Sequence, residues 1–348
     1  MASLVTTLTE TLRYRGAIGQ WSWVLHRITG LGVLFFLTLH VVDTSWSVFY
    51  PSLYEKAIAI YQSPLFTLGE FGLVASVIYH AYNGLRIIFF DYNPRLWKYQ
   101  QRAAFIVLGV TALTLIPTFI VMFYHVINHY EDNPRNLPLG EVLVEQLPFV
   151  IGIAAAFVAA ILFSGLTGLI SGNNTSSKTS KGRGSRVERF WWSYMRMSGL
   201  LIVPLVFGHL AMIHIIQGVF DLTAQGSTIV GVSNAINNTG TAVEFVQERW
   251  QFLLGGVAIW KLYDLGLLAL VTVHGFNGLR FVLTDYVSFS PLLRRAAQYV
   301  CVIGAVVLLV MGTGALLGSI DSEAVRMAAL SQCEIRGIED CTIIDLAE

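Results

Sequence analysis

Seven long apolar windows constrain the fold of this chain more than any other feature. They cover residues 24–49, 65–90, 103–128, 148–171, 198–220, 251–283 and 297–319. The hydrocarbon core of a bilayer, about 30 Å thick, needs roughly 20 apolar residues for each helical crossing. Charged residues make up only 13% of the 348, and the mean hydropathy is +0.62. A soluble protein of this length needs more charge on its surface. We therefore predict an all-α integral membrane protein with seven transmembrane helices.

The distribution of basic residues predicts the topology. The N-terminus and the loops after even-numbered windows hold thirteen Lys and Arg residues, whereas the opposite loops and the tail hold five. Basic loops stay on the cytoplasmic side. We expect a bacterial inner (plasma) membrane protein with a cytoplasmic N-terminus and an external C-terminus. The polar first 20 residues lack the pattern of a cleaved signal peptide. In an external tail, Cys333 and Cys341 form either a disulfide or two free thiols.

The two halves of the chain resemble each other. At one offset, His80-Ala-Tyr-Asn-Gly-Leu-Arg86 aligns with His274-Gly-Phe-Asn-Gly-Leu-Arg280, and Asp91-Tyr92 aligns with Asp285-Tyr286. At a second offset, the matched residues are Trp23 with Trp192, Arg27 with Arg196, Gly30 with Gly199 and His40 with His209. Windows one to three therefore repeat as windows five to seven, and window four is left over.

Topology explains the additional window. A second three-helix unit in the same orientation must start on the same side as the first, so one more crossing is needed to return the chain. We predict two parallel three-helix repeats joined by a spacer helix. The predicted segments are a first repeat at 1–130, the spacer helix and a basic cytoplasmic linker at 131–195, a second repeat at 196–320 and an external tail at 321–348.

Four repeat-matched histidines inside the predicted spans are candidate haem ligands, namely His40, His80, His209 and His274. Imidazoles that face each other across a helix bundle can hold a haem iron from both sides, an arrangement suited to electron transfer. A lone histidine in a membrane helix more often joins two helices by a hydrogen bond, but matched pairs favour ligation. His214 lies on another face of an α-helix than His209 and has no counterpart in the first half.

The neighbours of these histidines support a haem site. Gly84 and Gly278 follow their histidines by one helical turn on the same face, which leaves room for a flat macrocycle. Arg86 and Arg280 lie about 9 Å further along the helix, where each can pair with a haem propionate. We expect the pair His80/His274 nearer the cytoplasm and the pair His40/His209 nearer the outside.

The same residues resemble the membrane anchors of succinate dehydrogenase and fumarate reductase (complex II). Trp23-Val-Leu-His26-Arg27-Ile-Thr-Gly30 is similar to the opening signature of the larger, cytochrome b-type anchor. Tyr79-His80, with Gly84, Arg86 and Asp91, is similar to its haem-ligand helix. His274, Gly278 and Leu283-Thr-Asp285-Tyr286-Val resemble the matching helix of the smaller anchor. The chain thus resembles both anchors fused in order over most of residues 20–320.

The resemblance implies haem b, quinone and two partner proteins. These are a flavoprotein that oxidises succinate and an iron–sulfur subunit that passes electrons to quinone near the cytoplasmic face. It places Arg27 and Tyr286 at the quinone, with Asp285 beside them. Trp23 stands where the family has a serine, and Ser22 is the candidate substitute. The sequence holds no flavin motif and no iron–sulfur cysteine cluster. We therefore expect succinate oxidation on the partners, and nothing indicates nucleic-acid binding.

The additional pair His40/His209 resembles the di-haem, single-chain anchors, which are often associated with menaquinone. Such anchors can hold a second quinone site near the outer face. Glu70 and Asp264 are repeat-matched and precede a histidine by ten residues, and Asp43 follows His40 by three. These carboxylates are either part of an outer proton or quinone site or solvated groups near a helix start, where negative charge is favoured.

Two other functions keep part of this pattern. The anchor cytochrome b of another quinone-linked dehydrogenase would retain the histidines without the context of Arg27 and Asp285. A transporter built from parallel repeats would break its helices near the middle of the membrane, but Pro117 and Pro204 are not repeat-matched. The main prediction is a di-haem cytochrome b anchor of a succinate:quinone oxidoreductase with two haems.

Overall fold

The computed structural model describes residues 16–132, 186–233, 235–287, 290–338 and 341. In these ranges, six helices are long and apolar enough to cross a membrane. They overlap six of the seven predicted windows, although residues 252–258 at the start of the window 251–283 are not helical. The predicted spacer helix at 148–171 lies outside the described residues. The all-α membrane architecture is confirmed, whereas the seventh span and the repeat stay predictions.

The helices are numbered here in chain order. They are α1 Ile18–Phe49, α2 Pro51–Tyr61, α3 Pro64–Tyr92, α4 Gln100–Asp132, α5 Arg186–Leu210, α6 Ala242–Gln251, α7 Ile259–Tyr286, α8 Pro291–Leu317 and α9 Ser322–Arg336. A 3-10 turn at Pro94–Tyr99 precedes α4, and a π-helical segment at Ala211–Ile216 continues α5. A short 3-10 turn at Asp221–Thr223 follows. Two short antiparallel strands pair with each other, β1 Ser227–Thr228 and β2 Ile236–Asn237.

Local sequence signals start several of these helices. The Ser63 hydroxyl accepts a hydrogen bond from the backbone N–H of Phe66, and Pro64 occupies the first helical position of α3. Ser290 and Pro291 start α8 in the same way. A serine cap satisfies a free N–H group, and proline loses nothing where no helical hydrogen bond is available.

Four of the spans form a ring. Helix α1 contacts α3, α3 contacts α5, α5 contacts α7, and α7 contacts α1. Helix α4 packs outside α3, while α8 packs against α7 and α1. Side chains from both halves of the chain therefore meet inside the ring.

A cap covers the bundle at the end where α1 stops and α7 begins. It consists of α2, α6, α9 and the loop segments 217–233 and 235–241, packed around an apolar core that includes Tyr54, Leu222, Phe245, Trp250 and Val325. Part of the segment expected to be an external tail thus folds as α9. This helix is amphipathic and turns the buried residues Val325, Ala328, Ala329, Gln332 and Cys333 inward. Cys333 and Cys341 form a disulfide.

Candidate functional site

A cavity of about 500 Å³ lies inside the ring of α1, α3, α5 and α7. All four predicted ligand histidines line it, together with two further histidines; the six are His26, His40, His80, His209, His214 and His274. Most of the remaining wall is aliphatic. An apolar cavity with a few converging polar groups is the usual form of a cofactor site.

The two histidines of the predicted inner pair each have one ring nitrogen fixed by a neighbouring helix. His80 Nδ1 lies 3.1 Å from the backbone carbonyl oxygen of His26, and His274 Nδ1 lies 2.9 Å from the Ser198 hydroxyl. A carbonyl oxygen only accepts, so His80 Nδ1 carries the proton. Ser198 donates its own hydrogen to the Tyr194 carbonyl oxygen at 2.7 Å, so His274 Nδ1 is protonated as well. Metal-ligating histidines are oriented in this way, with Nε2 left for the metal.

Glycines stand beside both of these rings. A Cβ atom added at Gly30 would lie 2.7 Å from His80 Cε1, whereas one added at Gly199 would lie 3.4 Å from His274 Cε1. The first distance is a clash and the second is a normal van der Waals contact. The position of the His80 ring therefore requires glycine at residue 30.

His26 is an inner-site residue that the repeat did not single out. Its ring stacks on the His80 ring, with centroids 3.9 Å apart and planes 7° from parallel. Its Nδ1 atom is buried with no hydrogen-bond partner among the described residues. The repeat does not reveal it, because Met195 occupies the matching position, although its place beside Arg27 is a signal. Gly84, expected to leave room for a macrocycle, faces this ring.

Three histidines cluster at the other end of the cavity. The distances between ring centroids are 6.0 Å for His40–His209, 6.1 Å for His40–His214 and 5.5 Å for His209–His214. One ligand atom from each lies within 4.8 Å of the others. The expectation that His214 lies on another helical face is wrong, because the π-helical segment has i→i+5 geometry and turns His214 towards His209.

Three carboxylates surround this cluster. The distances from histidine Nδ1 to the nearest carboxylate oxygen are 2.8 Å for His214–Glu70, 3.8 Å for His209–Asp264 and 4.0 Å for His40–Asp43. The alternative that Glu70 and Asp264 are solvated is wrong, since their side chains are only 11% and 18% exposed. Asp43 is also buried, and it accepts a hydrogen bond from the Tyr61 hydroxyl at 2.6 Å.

Two repeat-matched ion pairs lie at the opposite end of the bundle. Arg27 donates to the Asp285 carboxylate, and the guanidinium carbon of Arg27 lies 3.9 Å from the centre of the Trp23 ring. The matching guanidinium of Arg196 donates to Asp91 and lies 4.0 Å from the Trp192 ring. The tryptophan that replaces the family's serine is therefore a stacking partner of the arginine.

Ser22 belongs to a separate buried network. Its hydroxyl donates to Asn83 Oδ1 at 2.8 Å and accepts from Arg86 Nη2 at 3.1 Å. The Tyr79 hydroxyl lies 3.0 Å away. Ser22 thus joins α1 to the helix that carries His80.

The two arginines predicted to bind propionates have protein partners. Arg86 bonds to Ser22, and Arg280 pairs with Glu188 at 3.1 Å. Neither is among the described residues that line the cavity, which instead include Arg27 and Arg196. Tyr286 is 60% exposed at the end of α7 and does not line the cavity either.

Known proteins similar to this chain are membrane anchors. The succinate dehydrogenase/fumarate reductase transmembrane subunit family matches residues 7–118 and 171–313. The chain is 39% identical over 117 residues to the succinate dehydrogenase 2 membrane subunit SdhC of Mycobacterium tuberculosis, covering 34% of this chain and 86% of that protein. It is 30% identical over 105 residues to a succinate dehydrogenase hydrophobic membrane anchor subunit of Halobacterium salinarum, covering 29% of this chain and 81% of that protein.

A third relative has the same description. The succinate dehydrogenase hydrophobic membrane anchor subunit of Archaeoglobus fulgidus is 28% identical over 103 residues, which are 30% of this chain and 81% of that protein. No solved structure matches. The two stretches matched by the family cover well over half of the residues. The chain therefore belongs to the family of transmembrane subunits of succinate dehydrogenase and fumarate reductase.

Proposed function

We propose that this chain is the di-haem cytochrome b anchor of a succinate:quinone oxidoreductase. It passes electrons from an iron–sulfur subunit to a quinone, with menaquinone favoured. Family membership supports the role as the membrane subunit of such an oxidoreductase. The single observation that best supports haem is that histidines from both halves of the chain line one apolar cavity at two levels.

The residues of the inner site fit a haem held by two imidazoles. The protons on Nδ1 of His80 and His274 leave both Nε2 lone pairs for iron. A haem with two such ligands supplies a one-electron couple and has no open position for oxygen. Glycine at residue 30 leaves room for the His80 ring, and the aliphatic side chains that line the cavity exclude water.

The residues of the outer site fit a second haem. His40 on α1 faces two histidines of the second half, of which His209 is its repeat-matched partner. The Nδ1 atom of His209 and the Oδ1 atom of Asp264 are buried without hydrogen-bond partners among the described residues. Unpaired buried polar atoms of this kind are uncommon, and a group bound in the cavity would explain them. Glu70, Asp264 and Asp43 would exchange protons with a quinone bound nearby.

Arg27 and Asp285 are the centre of the proposed quinone site at the cytoplasmic face, with Trp23 and Tyr286 beside them. A guanidinium group can donate a hydrogen bond to a quinone carbonyl oxygen as negative charge develops there. The Asp285 side chain is 56% exposed, so a ligand can reach the pair. Ser22 remains a candidate quinone-site residue only through its hydrogen bonds to Asn83 and Arg86.

The assignment of Arg86 and Arg280 to haem propionates stays a prediction. The family implies a flavoprotein and an iron–sulfur subunit as partners, and the basic loops at this face are their expected docking surface.

The experiment is purification of the chain with its bound partners. We expect flavoprotein and iron–sulfur subunits, two b-type haems per chain, and absorption bands that succinate reduces and a menaquinone analogue reoxidises. The absence of haem would end the proposal. Haem reduced only by the substrate of another dehydrogenase would favour the alternative anchor function.

A further inference from the structure

We propose that His214, rather than His209, is the partner of His40 at the second haem, and that Glu70 positions it. The inference rests on the proposed function, because it names the ligand set of the outer haem. The repeat by itself favours His209 as the partner of His40. The reasons for His214 come from the structure.

The π-helical segment is the first reason. In an α-helix, residues five apart point about 140° away from each other. The segment Ala211–Ile216 adds a residue to the turn and brings His214 into the cavity. His125 on α4 stabilises this geometry, because its Nε2 lies 3.0 Å from the Ile215 carbonyl oxygen. Such π-turns are rare and concentrate at functional sites.

The hydrogen bond at Nδ1 of His214 is the second reason. His214 Nδ1 bonds to Glu70 at 2.8 Å, much as both inner histidines bond through Nδ1 at 3.1 and 2.9 Å. His209 Nδ1 has no hydrogen-bond partner in the described part of the chain, and its distance of 3.8 Å to Asp264 is beyond hydrogen-bond reach. Ligating histidines almost always donate that N–H group, which fixes the ring and raises its basicity.

The cap explains why the two halves differ here. Trp250 on α6 donates to Asp264 Oδ2 at 3.1 Å and holds this carboxylate. Its repeat counterpart Glu70 is bonded to His214 instead. Asp264, which could orient His209, is thus held by the cap. Glu70 faces His214 and is available to position it.

The test compares single substitutions in the purified complex by haem content and by the low-spin spectrum. His214→Leu is expected to lose one of two haems, whereas His209→Leu keeps both in the low-spin state. The inner haem reports correct folding in each variant. The opposite pattern, with loss in His209→Leu and retention in His214→Leu, overturns the inference.

His40→Leu separates this inference from the proposed function. It is expected to remove the same haem as His214→Leu. If it leaves both haems in place, the outer site itself is wrong and the inference falls with it.

Glu70→Gln tests the positioning role. We expect the midpoint potential of the outer haem to rise, because a neutral amide makes the imidazole less basic, while Asp264→Asn shifts it less. Equal shifts in the two variants contradict a specific role for Glu70.

We infer that Arg249 on α6 receives a carboxylate group of the outer haem. Arg249 is only 4% exposed, and neither Nη1 nor Nη2 has a hydrogen-bond partner among the described residues. The Trp260 ring lies 4.1 Å from the guanidinium carbon, but a ring face leaves the N–H donors unsatisfied. The Asp264 carboxylate partly balances the charge of Arg249, but the buried Nη1 and Nη2 donors stay without acceptors, which is unfavourable, so this site favours a further acceptor group such as a carboxylate.

The position of Arg249 identifies the anion by its chemistry. The residue lines a smaller cavity of about 120 Å³ that shares His40 and His214 with the central cavity. Among the described residues lining the smaller cavity, Arg249 is the only arginine or lysine. Haem is a dicarboxylate, and the guanidinium–carboxylate pair is among the strongest hydrogen-bonded contacts in proteins.

The test uses membranes from haem-deficient cells that contain the whole complex, reconstituted with haem b or with its dimethyl ester. The wild-type outer site should bind the ester about ten- to a hundredfold more weakly than haem b. Arg249→Gln should bind both equally. Arg326→Gln, on the exposed side of the same cap, should behave as wild type, and the inner site reports folding.

Two outcomes overturn this inference. One is a wild-type outer site that binds haem b and its dimethyl ester equally well, which means that Arg249 binds another anion. The other is a preference that persists in Arg249→Gln. An outer site that binds no haem b at all overturns both this inference and the proposed second haem.

Discussion

Arg196 on α5 donates a hydrogen bond through Nε to the Asp91 carboxylate at the end of α3, across 3.0 Å. The repeat-matched pair runs in the reverse direction, from Arg27 in the first half to Asp285 in the second. Each half therefore neutralises a carboxylate of the other half. The pairs differ in exposure, since 18% of the Asp91 side chain is exposed and 56% of Asp285. We expect a structural role for the first pair and a ligand-binding role for the second.

Replacing the two aspartates separates these roles. Asp91→Asn leaves the guanidinium of Arg196 partly buried without a counter-ion, which should cost about 1–3 kcal/mol of stability. Asp285→Asn should cost less than about 1 kcal/mol because the pair is more exposed. It should slow quinone reduction roughly tenfold, since Arg27 loses its orientation. Thermal unfolding and quinone kinetics of both variants check this, and equal kinetic effects would place the quinone elsewhere.

Glycine substitutions beside the inner histidines form a second matched comparison. Gly30→Ala places a methyl group 2.7 Å from the His80 ring, so the ring must move and the inner haem should be lost or become high-spin. Gly199→Ala places it 3.4 Å from the His274 ring, which is ordinary contact, and should be tolerated. The absorption spectra of both variants are the measurement. An inner haem that is unchanged in Gly30→Ala would show that the His80 position is not set by this contact.

The membrane spans, and the place of His80 and His274 on one cavity, were predictable from the sequence because they depend on composition and local periodicity. Apolar windows of sufficient length fix the spans, and identical spacing in both halves identified His80 and His274. The ion pairs were only partly predictable. The repeat revealed Arg196 and Asp91, but it did not show that an arginine of one half bonds to an aspartate of the other half.

The outer site could not be predicted in full, for physical reasons. Ideal α-helical geometry separates His214 from His209, and no residue type signals that a π-turn will form. Arg249 lies in a polar stretch between spans, and its burial depends on the cap, which is held by long-range contacts among α2, α6 and α9. Contacts of that kind have no local pattern in the sequence.

The cap should lose stability as the pH rises towards neutral. Glu55 is fully buried and accepts hydrogen bonds from the Val243 N–H at 2.8 Å and from Gln332 Nε2 at 2.5 Å. Burial raises the pKa of Glu55 from its ordinary 4.5 to about 7. Between these values the folded cap holds a proton that the unfolded chain has released. Stability therefore falls across this window, by up to about 3 kcal/mol.

Glu55→Gln should remove this pH dependence, because the amide stays neutral at every pH. Thermal midpoints between pH 4.5 and pH 8 measure it. Glu334→Gln, an exposed carboxylate on α9, is the matched control and should keep the wild-type slope. If the thermal midpoint of Glu55→Gln still falls as the pH rises, another group causes the pH dependence.

The cysteines allow a direct test of the predicted orientation. The chain has three cysteines, and Cys301 is buried within α8. In intact cells, a membrane-impermeant maleimide should label the chain only after an impermeant reductant opens the Cys333–Cys341 disulfide. Cys333→Ser with Cys341→Ser should abolish labelling. Labelling that requires inverted vesicles would place the cap on the cytoplasmic side.

The haem content of His80→Leu, His274→Leu and the double variant is the most direct test of whether the two halves share one iron. We predict two b-type haems per chain in the wild-type complex, loss of one in each single variant, and no further loss in the double variant. A wild-type complex without haem, or a double variant that loses the second haem as well, would contradict the assignment of both histidines to a single iron.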